Sequence, residues 1–452
     1  MAILRRRNPQ ILRPEKRRQQ IQKATRIQKV AHFLRSKNDN NSSDYDPKVV
    51  SLGPYHHGKP ELQLFQEFKK KTLEMFVSGG DKETNFYHNV VLEAVDDLRS
   101  CYLDGSTAEY EDAEFAEMML LDSCFILNHI MIITRFGDAA SRCSITDTHI
   151  GFTGLRFIEH DMILLENQIP LRIIELLFNA RYGDLTTALS ISAGMDNSAD
   201  EIYYPWKQLL SRYCQECLFG QYFDDDDDDN GVEPPHLLEA FRMHLVSDCD
   251  QCLSQKVDSS HESGREDHYF SGSVMDLKSK GIHFGCNGKV QSLRGVKVKA
   301  YKFYTKLELP IWYASPQSRV LFTNIIAYEL CPNSDTKLEM ISCVNFMKSL
   351  IVSPADAKEL REKHIITNAL GDDSDVVKFF KGLNTDEFEN PYIFREVKRK
   401  IGRHCESKAK TLWAEFLYTY FRRPWTVIAL LAATLLLVLT CIQTYFTIHS
   451  CQ

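Results

Sequence analysis

Three groups of residues carry side chains at spacings that chemistry uses. Gly53-Pro-Tyr-His-His-Gly58-Lys59-Pro60 has the glycine and lysine spacing of a phosphate-binding loop. Such a loop needs backbone N–H groups aimed at phosphate and a hydroxyl after the lysine for Mg²⁺. Pro60 offers neither, and Pro54 removes another amide. The run is therefore read as a rigid turn that enters the next helix. Cys214-Gln-Glu-Cys217 and Cys249-Asp-Gln-Cys252 place four thiols as two pairs 31 residues apart, a ligand set that tetrahedral Zn²⁺ accepts. The gap is long for a zinc ribbon, and both pairs fall in helical patterns where i,i+3 means only one face. Packing or surface thiols are the simpler reading. His56 and His57 suit a general-base pair, and Glu159, Asp161 and Glu166 suit paired carboxylates. No nucleophile is identified beside the histidines, and Asp161 reads as the N-cap of an apolar helix. Neither Gly-x-Ser-x-Gly nor His-Glu-x-x-His occurs. The residues leave no catalytic constellation and call for no cofactor, so the reading leans away from an enzyme.

The elements that must position these residues are mostly helical. Apolar residues recur at helical spacing over 62–76, 86–102, 113–135, 161–180, 236–246, 323–331, 338–351 and 355–370. Ser353-Pro354-Ala355-Asp356 supplies an N-cap, a first-turn proline and an acid near free amides, with Gly371 as a stop. Val296, Val298 and Ala300 alternate with lysines after Gly295, and Leu307 and Leu309 alternate with Lys306 and Glu308 before Pro310, which predicts strands. The fold class expected is mainly α: a helical globular body with a small β element, plus one C-terminal transmembrane helix. Surface insertions are expected near 221–235, which holds six consecutive acids from Asp224, and near 254–270. Neither can bury enough apolar surface to order itself.

The transmembrane expectation rests on Trp425 to Ile448, 24 positions without a charge. As a helix they reach roughly 36 Å, enough for a hydrocarbon slab of about 30 Å. Trp425 lies at one end and Tyr445 and Phe446 at the other, where amphipathic rings favour headgroups. Arg422 and Arg423 abut the run, whereas only His449-Ser450-Cys451-Gln452 follows it, so the positive-inside bias places the N-terminal body in the cytosol. No charged n-region followed by an apolar h-region opens the chain. A tail-anchored, single-span protein is expected, and the 13 scattered cysteines suit free thiols in a reducing compartment.

Charge is distributed unevenly. The net charge is −7, but residues 1–37 carry 12 basic residues and one acid, residues 395–423 carry nine and three, and residues 38–394 are left with −24. Residues 15–35 set Ile21, Ala24, Ile27, Ala31 and Leu34 at helical spacing among lysines and arginines, the pattern of a basic amphipathic helix able to lie on anionic lipid. A solvated or packed first helix is the plainer alternative, and nucleic-acid binding is disfavoured. The expected organisation is a basic arm over 1–37, a cytosolic body over 38–423, a span over 424–448 and a tail over 449–452.

Five motifs occur in order: Val50-Ser-Leu-Gly-Pro-Tyr-His-His-Gly58, Met119-Leu-Leu-Asp-Ser-Cys-Phe-Ile-Leu127, Asp161-Met-Ile-Leu-Leu-Glu-Asn-Gln-Ile-Pro170, Arg319-Val-Leu-Phe-Thr-Asn-Ile-Ile-Ala-Tyr-Glu-Leu-Cys331 and Tyr418-Thr-Tyr-Phe-Arg-Arg-Pro-Trp425. Together they resemble the plant DUF247 family, also called UPF0481, over roughly residues 27 to 448. The resemblance implies a plant membrane protein with one C-terminal span and supplies no activity. Some members are associated with pollen–pistil self-incompatibility, a role the resemblance does not transfer. Ala31 stands where the family usually has proline. Within the motifs, Glu166, Asn167 and Gln168 are expected to bond backbone groups where Pro170 interrupts a helix.

Two functions follow as expectations. The first is a non-enzymatic, membrane-tethered module whose acidic body binds unidentified proteins. The second is an enzyme or small-molecule binder with a pocket around His56, His57 and Glu166.

Overall fold

The computed structural model describes residues 26–36, 44–136, 151–191, 205–220, 233–247, 272–288, 292–301, 304–332, 334, 336–407 and 424–449. The insertion expected near 254–270, all but residues 233–235 of the one near 221–235, Cys249, Cys252, Arg422, Arg423 and most of the basic arm lie outside them. The chain divides into two compact units.

The first unit takes residues up to Ser247, Ser315–Ile341 and Leu383–Phe388. Its described helices are α1 (His32–Ser36), α2 (Leu64–Ser78), α3 (Thr84–Glu93), α4 (Val95–Ser100), α5 (Asp112–Ile133), α6 (Gly151–Met162), α7 (Leu171–Ile191), α8 (Trp206–Phe219), α9 (Leu237–Val246) and α11 (Pro316–Glu329). Helix α5 is the axis. From Met118 to Met131 it is largely buried around its circumference, and α2, α3, α7 and α8 pack around it. Phe115, Met119, Phe125, Leu127 and Ile130 are among its buried side chains.

Two expectations are corrected here. The helix read over 161–180 is broken, because Ile163–Pro170 is non-helical between α6 and α7. Pro170 has no amide to give and disfavours helical geometry at Ile169. The amphipathic helix read over 15–35 does not run through Arg26–Ala31. Ile27 instead forms a parallel bridge with Tyr102, its N–H donating to the Cys101 carbonyl at 2.7 Å. Ile27, Val30 and Leu34 are buried, so these residues belong to the core of the unit.

The second unit takes Asp248–Ala314, Ser342–Gly382 and Glu389–Gln452. After α10 (Val274–Ser279) come β1 (Ile282–Cys286), β2 (Lys297–Ala300) and β3 (Thr305–Leu309), a sheet of order β1-β3-β2 with β1 parallel and β2 antiparallel to β3. A second sheet pairs β4 (Trp312–Ala314) with β5 (Ile366–Asn368) in parallel. Helix α12 (Glu339–Leu350) leads into the unit, followed by α13 (Pro354–Glu362), α14 (Asp373–Gly382) and α15 (Arg395–Glu406). The Ser353 start of α13 is as the sequence predicts, with the Asp356 carboxylate accepting the Ser353 N–H at 2.8 Å. Its end is earlier than predicted. His364 turns the chain at φ 56°, and after the β-branched run Ile365-Ile366-Thr367 leaves the helix, Ile366-Thr367-Asn368 pair with Trp312-Tyr313-Ala314.

The last described element is α16 (Pro424–His449). Among the described residues two helices are long and apolar enough to cross a membrane, and burial separates them. The apolar window of α5 is 72% buried, whereas Leu431–Ile448 in α16 is 0% buried.

Candidate functional site

Residues of the first four motifs converge on one place in the first unit, the seam between the segment Asp44–Gly58 and the break at Ile163–Pro170. Between Tyr45 and Gly53 the first segment has neither helix nor strand, so its backbone N–H and C=O groups need other partners. Side chains provide them. Asp161 accepts the N–H groups of Lys48 (2.9 Å), Val49 (2.7 Å) and Val50 (2.9 Å). It sits in the last turn of α6 and is not the N-cap that the sequence indicated. A carboxylate at a helix C-terminus opposes the helix dipole, and the three donated N–H groups offset that cost. Asn167 accepts from Leu52 N at 2.7 Å and donates to Val50 O (3.0 Å) and Asp161 O (2.9 Å). Gln168 donates to the carbonyls of Met162 and Leu164, both at 2.8 Å, and accepts from Leu238 N at 3.0 Å. Asn324 in α11 accepts from Leu165 N and donates to Asp44 O. These side chains are buried, and each satisfies backbone groups that would otherwise be stranded.

Beneath this seam lies an ion pair between Lys69 of α2 and Asp122 of α5, with side chains 1% and 2% exposed. Asp122 also accepts from Gly53 N at 2.7 Å, and the Lys69 ammonium donates to Ser51 O at 2.5 Å. Gly53 has φ 70°, and a Cβ there would stand 2.8 Å from Gln168 O and 3.0 Å from Tyr102 Oη. The glycine in this motif serves close packing and a left-handed turn, not a phosphate cradle.

His56, His57 and Glu166 meet this seam differently. Glu166 accepts from Val30 N at 2.7 Å and pairs with Arg35 at 2.9 Å, so its carboxylate is engaged on both oxygens. His56 Nε2 is 3.7 Å from Glu166 Oε2. Both His56 ring nitrogens are buried without a hydrogen-bond partner. Burial, with the nearby Lys59 ammonium second, pulls its pKa down to about 4, so the ring is neutral at pH 7. No hydroxyl or thiol is hydrogen-bonded to it, the arrangement a base–nucleophile pair requires. His57 is half-buried and packs edge-on to Tyr110 with centroids 5.8 Å apart.

Among the other candidates, Cys214 is buried in α8, where desolvation pushes its thiol well above the ordinary value, and Cys217 lies one turn on. Their proposed partners Cys249 and Cys252 lie outside the described residues. Among the described residues no group of three or more His, Cys, Asp and Glu side chains is placed to hold a metal ion. Tyr445 and Phe446 are exposed on α16, and Trp425 is in its first turn.

A second polar cluster was missed by sequence reading. Arg242 of α9 reaches Glu239 (2.7 Å), Glu329 (3.3 Å) and Glu339 (3.1 Å). Glu329 also accepts the N–H groups of Met340 and Ile341, both at 3.0 Å, at the start of α12. Burial raises the pKa of Glu329 to about 7 against the pull of Arg242. The signal was an acid, Glu329, directly after the run Ile325-Ile326-Ala327-Tyr328, and its partners are 87 and 11 residues away.

Residues 27–439 match the model of the DUF247 family, described as plant protein of unknown function. The UPF0481 protein At3g47200 of Arabidopsis thaliana is 26% identical over 426 residues, covering 91% of this chain and 84% of that protein. The putative UPF0481 protein At3g02645 of the same plant is 22% identical over 498 residues, covering 90% and 87%. No solved structure matches. The matched range opens at Ile27, the residue that bridges to Tyr102, and ends inside α16. It therefore takes in the seam, both units and most of the apolar helix, and the chain belongs to the plant DUF247 family.

Proposed function

We propose that this chain is a single-span membrane protein whose two-unit body acts as a non-enzymatic interaction module on the cytosolic side. The observation that carries the reading is the contrast between α5 and α16: equally qualified to span by length and composition, one is enclosed by four helices and the other has an unburied apolar window. An apolar helix of that length left in water is costly, and a bilayer removes the cost. The motif polar groups support the non-enzymatic part. Asp161, Asn167, Gln168 and Asn324 are buried and hydrogen-bonded to backbone groups, which supports a structural role for them. The body's surplus of acids, −24 over residues 38–394, favours basic protein surfaces as partners. Orientation rests on Arg422 and Arg423, which directly precede the helix. A glycosylation acceptor appended after Gln452 tests it. That acceptor is modified, and one inserted in the run Asp224–Asp229 is not; the reverse pattern overturns the orientation.

A second reading rests on His56, whose unpartnered ring nitrogens favour a small hydrogen-bonding molecule beside Glu166 and His57. Native mass spectrometry of the purified protein decides between them: a stoichiometric bound metabolite, lost in His56→Phe, supports this reading over the first.

A further inference from the structure

Helix α15 has two unlike faces. Val397, Ile401 and His404 are buried. His404 is fixed on both ring nitrogens, Nδ1 with Thr305 Oγ1 at 2.9 Å and Nε2 with Lys280 O at 2.8 Å. Just before the helix, Phe394 stacks on Phe346 with centroids 4.7 Å apart. The helix is therefore a fixed part of its unit. Its outer face carries Arg395, Arg399 and Arg403, all exposed. They fall at i, i+4 and i+8, a row in which successive guanidinium groups advance about 6 Å along one side. Glu396 pairs with Arg399 at 2.6 Å, and Lys398 pairs with Glu389. Arg403 makes no ion pair among the described residues. Five lysines and arginines stand against two glutamates in the helix.

This row lies close in sequence to α16. Residues 407–423 join the two, so α15 stays within about 60 Å of the span even if that stretch is fully extended. The joining stretch adds four basic residues against one acid. A cationic row on a rigid helix, tethered this near a bilayer, meets anionic headgroups at high effective concentration. Each arginine close to such a surface strengthens the association roughly fivefold.

We propose that the outward row Arg395–Arg399–Arg403 of α15 docks on the anionic headgroups of the bilayer that holds α16. The inference rests on the membrane reading above and adds which face of the body meets the lipid.

The test uses the full chain in vesicles, with a fluorescent amino acid at exposed Glu406 and an acceptor dye on the lipid headgroups. In vesicles with about one fifth phosphatidylserine, energy transfer is higher than in pure phosphatidylcholine. It falls toward the phosphatidylcholine value at about 0.5 M salt, where screening is short-ranged. Arg395→Gln/Arg399→Gln/Arg403→Gln removes the phosphatidylserine-dependent increase, and the corresponding triple lysine variant restores it. Unchanged circular dichroism in the glutamine variant separates this loss from unfolding. Equal transfer in the two lipids, or a glutamine variant that behaves as wild type, overturns the proposal while leaving the span intact. Binding of an RNA oligonucleotide or polyglutamate by the row, without a lipid effect, likewise overturns it. A full chain that alkaline carbonate strips from the vesicles overturns the membrane reading itself.

Discussion

Asn167 treats Leu52 as a parallel strand would: its Oδ1 accepts the Leu52 N–H at 2.7 Å while its Nδ2 donates to the carbonyl two residues earlier, at Val50. One side-chain amide thereby replaces a missing sheet neighbour. Replacing Asn167 with Ala strands a buried N–H and a buried C=O, each costing about 1–3 kcal/mol. Asn167→Ala is expected to lower the melting temperature and to open the segment 44–53 to protease. Asn167→Ala with wild-type melting and protection contradicts the seam as a structural device.

Lys69 and Asp122 are buried together, so removing either partner leaves an uncompensated charge. Lys69→Met and Asp122→Leu are each expected to cost roughly 3–5 kcal/mol, and the double variant much less than their sum. Additive losses in denaturant titrations contradict the pairing.

Gly53→Ala forces an L side chain into φ 70° and against Gln168 O. A loss of about 1–3 kcal/mol is expected from the conformation alone. If the run served phosphate instead, Gly53→Ala would leave stability alone and abolish nucleotide binding. Thermal melts with and without ATP and Mg²⁺ distinguish the two.

His129 is enclosed in α5, and desolvation lowers its pKa to about 4. In the unfolded chain it binds a proton below about pH 6.5. Unfolding therefore takes up a proton between these values, and stability falls as pH drops from 6.5 to 4, at about 1.4 kcal/mol per unit. His56 and His236 are shifted in the same direction. His129→Leu is expected to gain on wild type as pH falls, by about 1 kcal/mol more at pH 5.5 than at pH 7.5. Parallel pH profiles of the urea midpoint contradict a neutral buried imidazole.

Local patterns in the sequence carried much of this architecture. The apolar runs of α2, α5 and α9, the Ser353 start of α13 and the alternation in β2 and β3 are properties of neighbours along the chain. Four of the five motifs that carry the resemblance to the family contribute residues to the seam or to the ion pair beneath it. What stayed hidden was long-range. Asp161 looks like an N-cap because an apolar run follows it, yet its partners are 111–113 residues away. Strand β1 and the β4–β5 pair are short, and only their partners make them strands. The Arg242 cluster joins α9 to α11 and α12, which no spacing rule connects.

The membrane reading has a direct measurement. Full-length protein and a version ending at Arg423 are expressed in plant cells, and membranes are floated and then washed with alkaline carbonate. Full-length protein remains in the membrane pellet while the shortened body is released. Release of the full-length protein by carbonate, or equal retention of both, contradicts the account of α16 as the span.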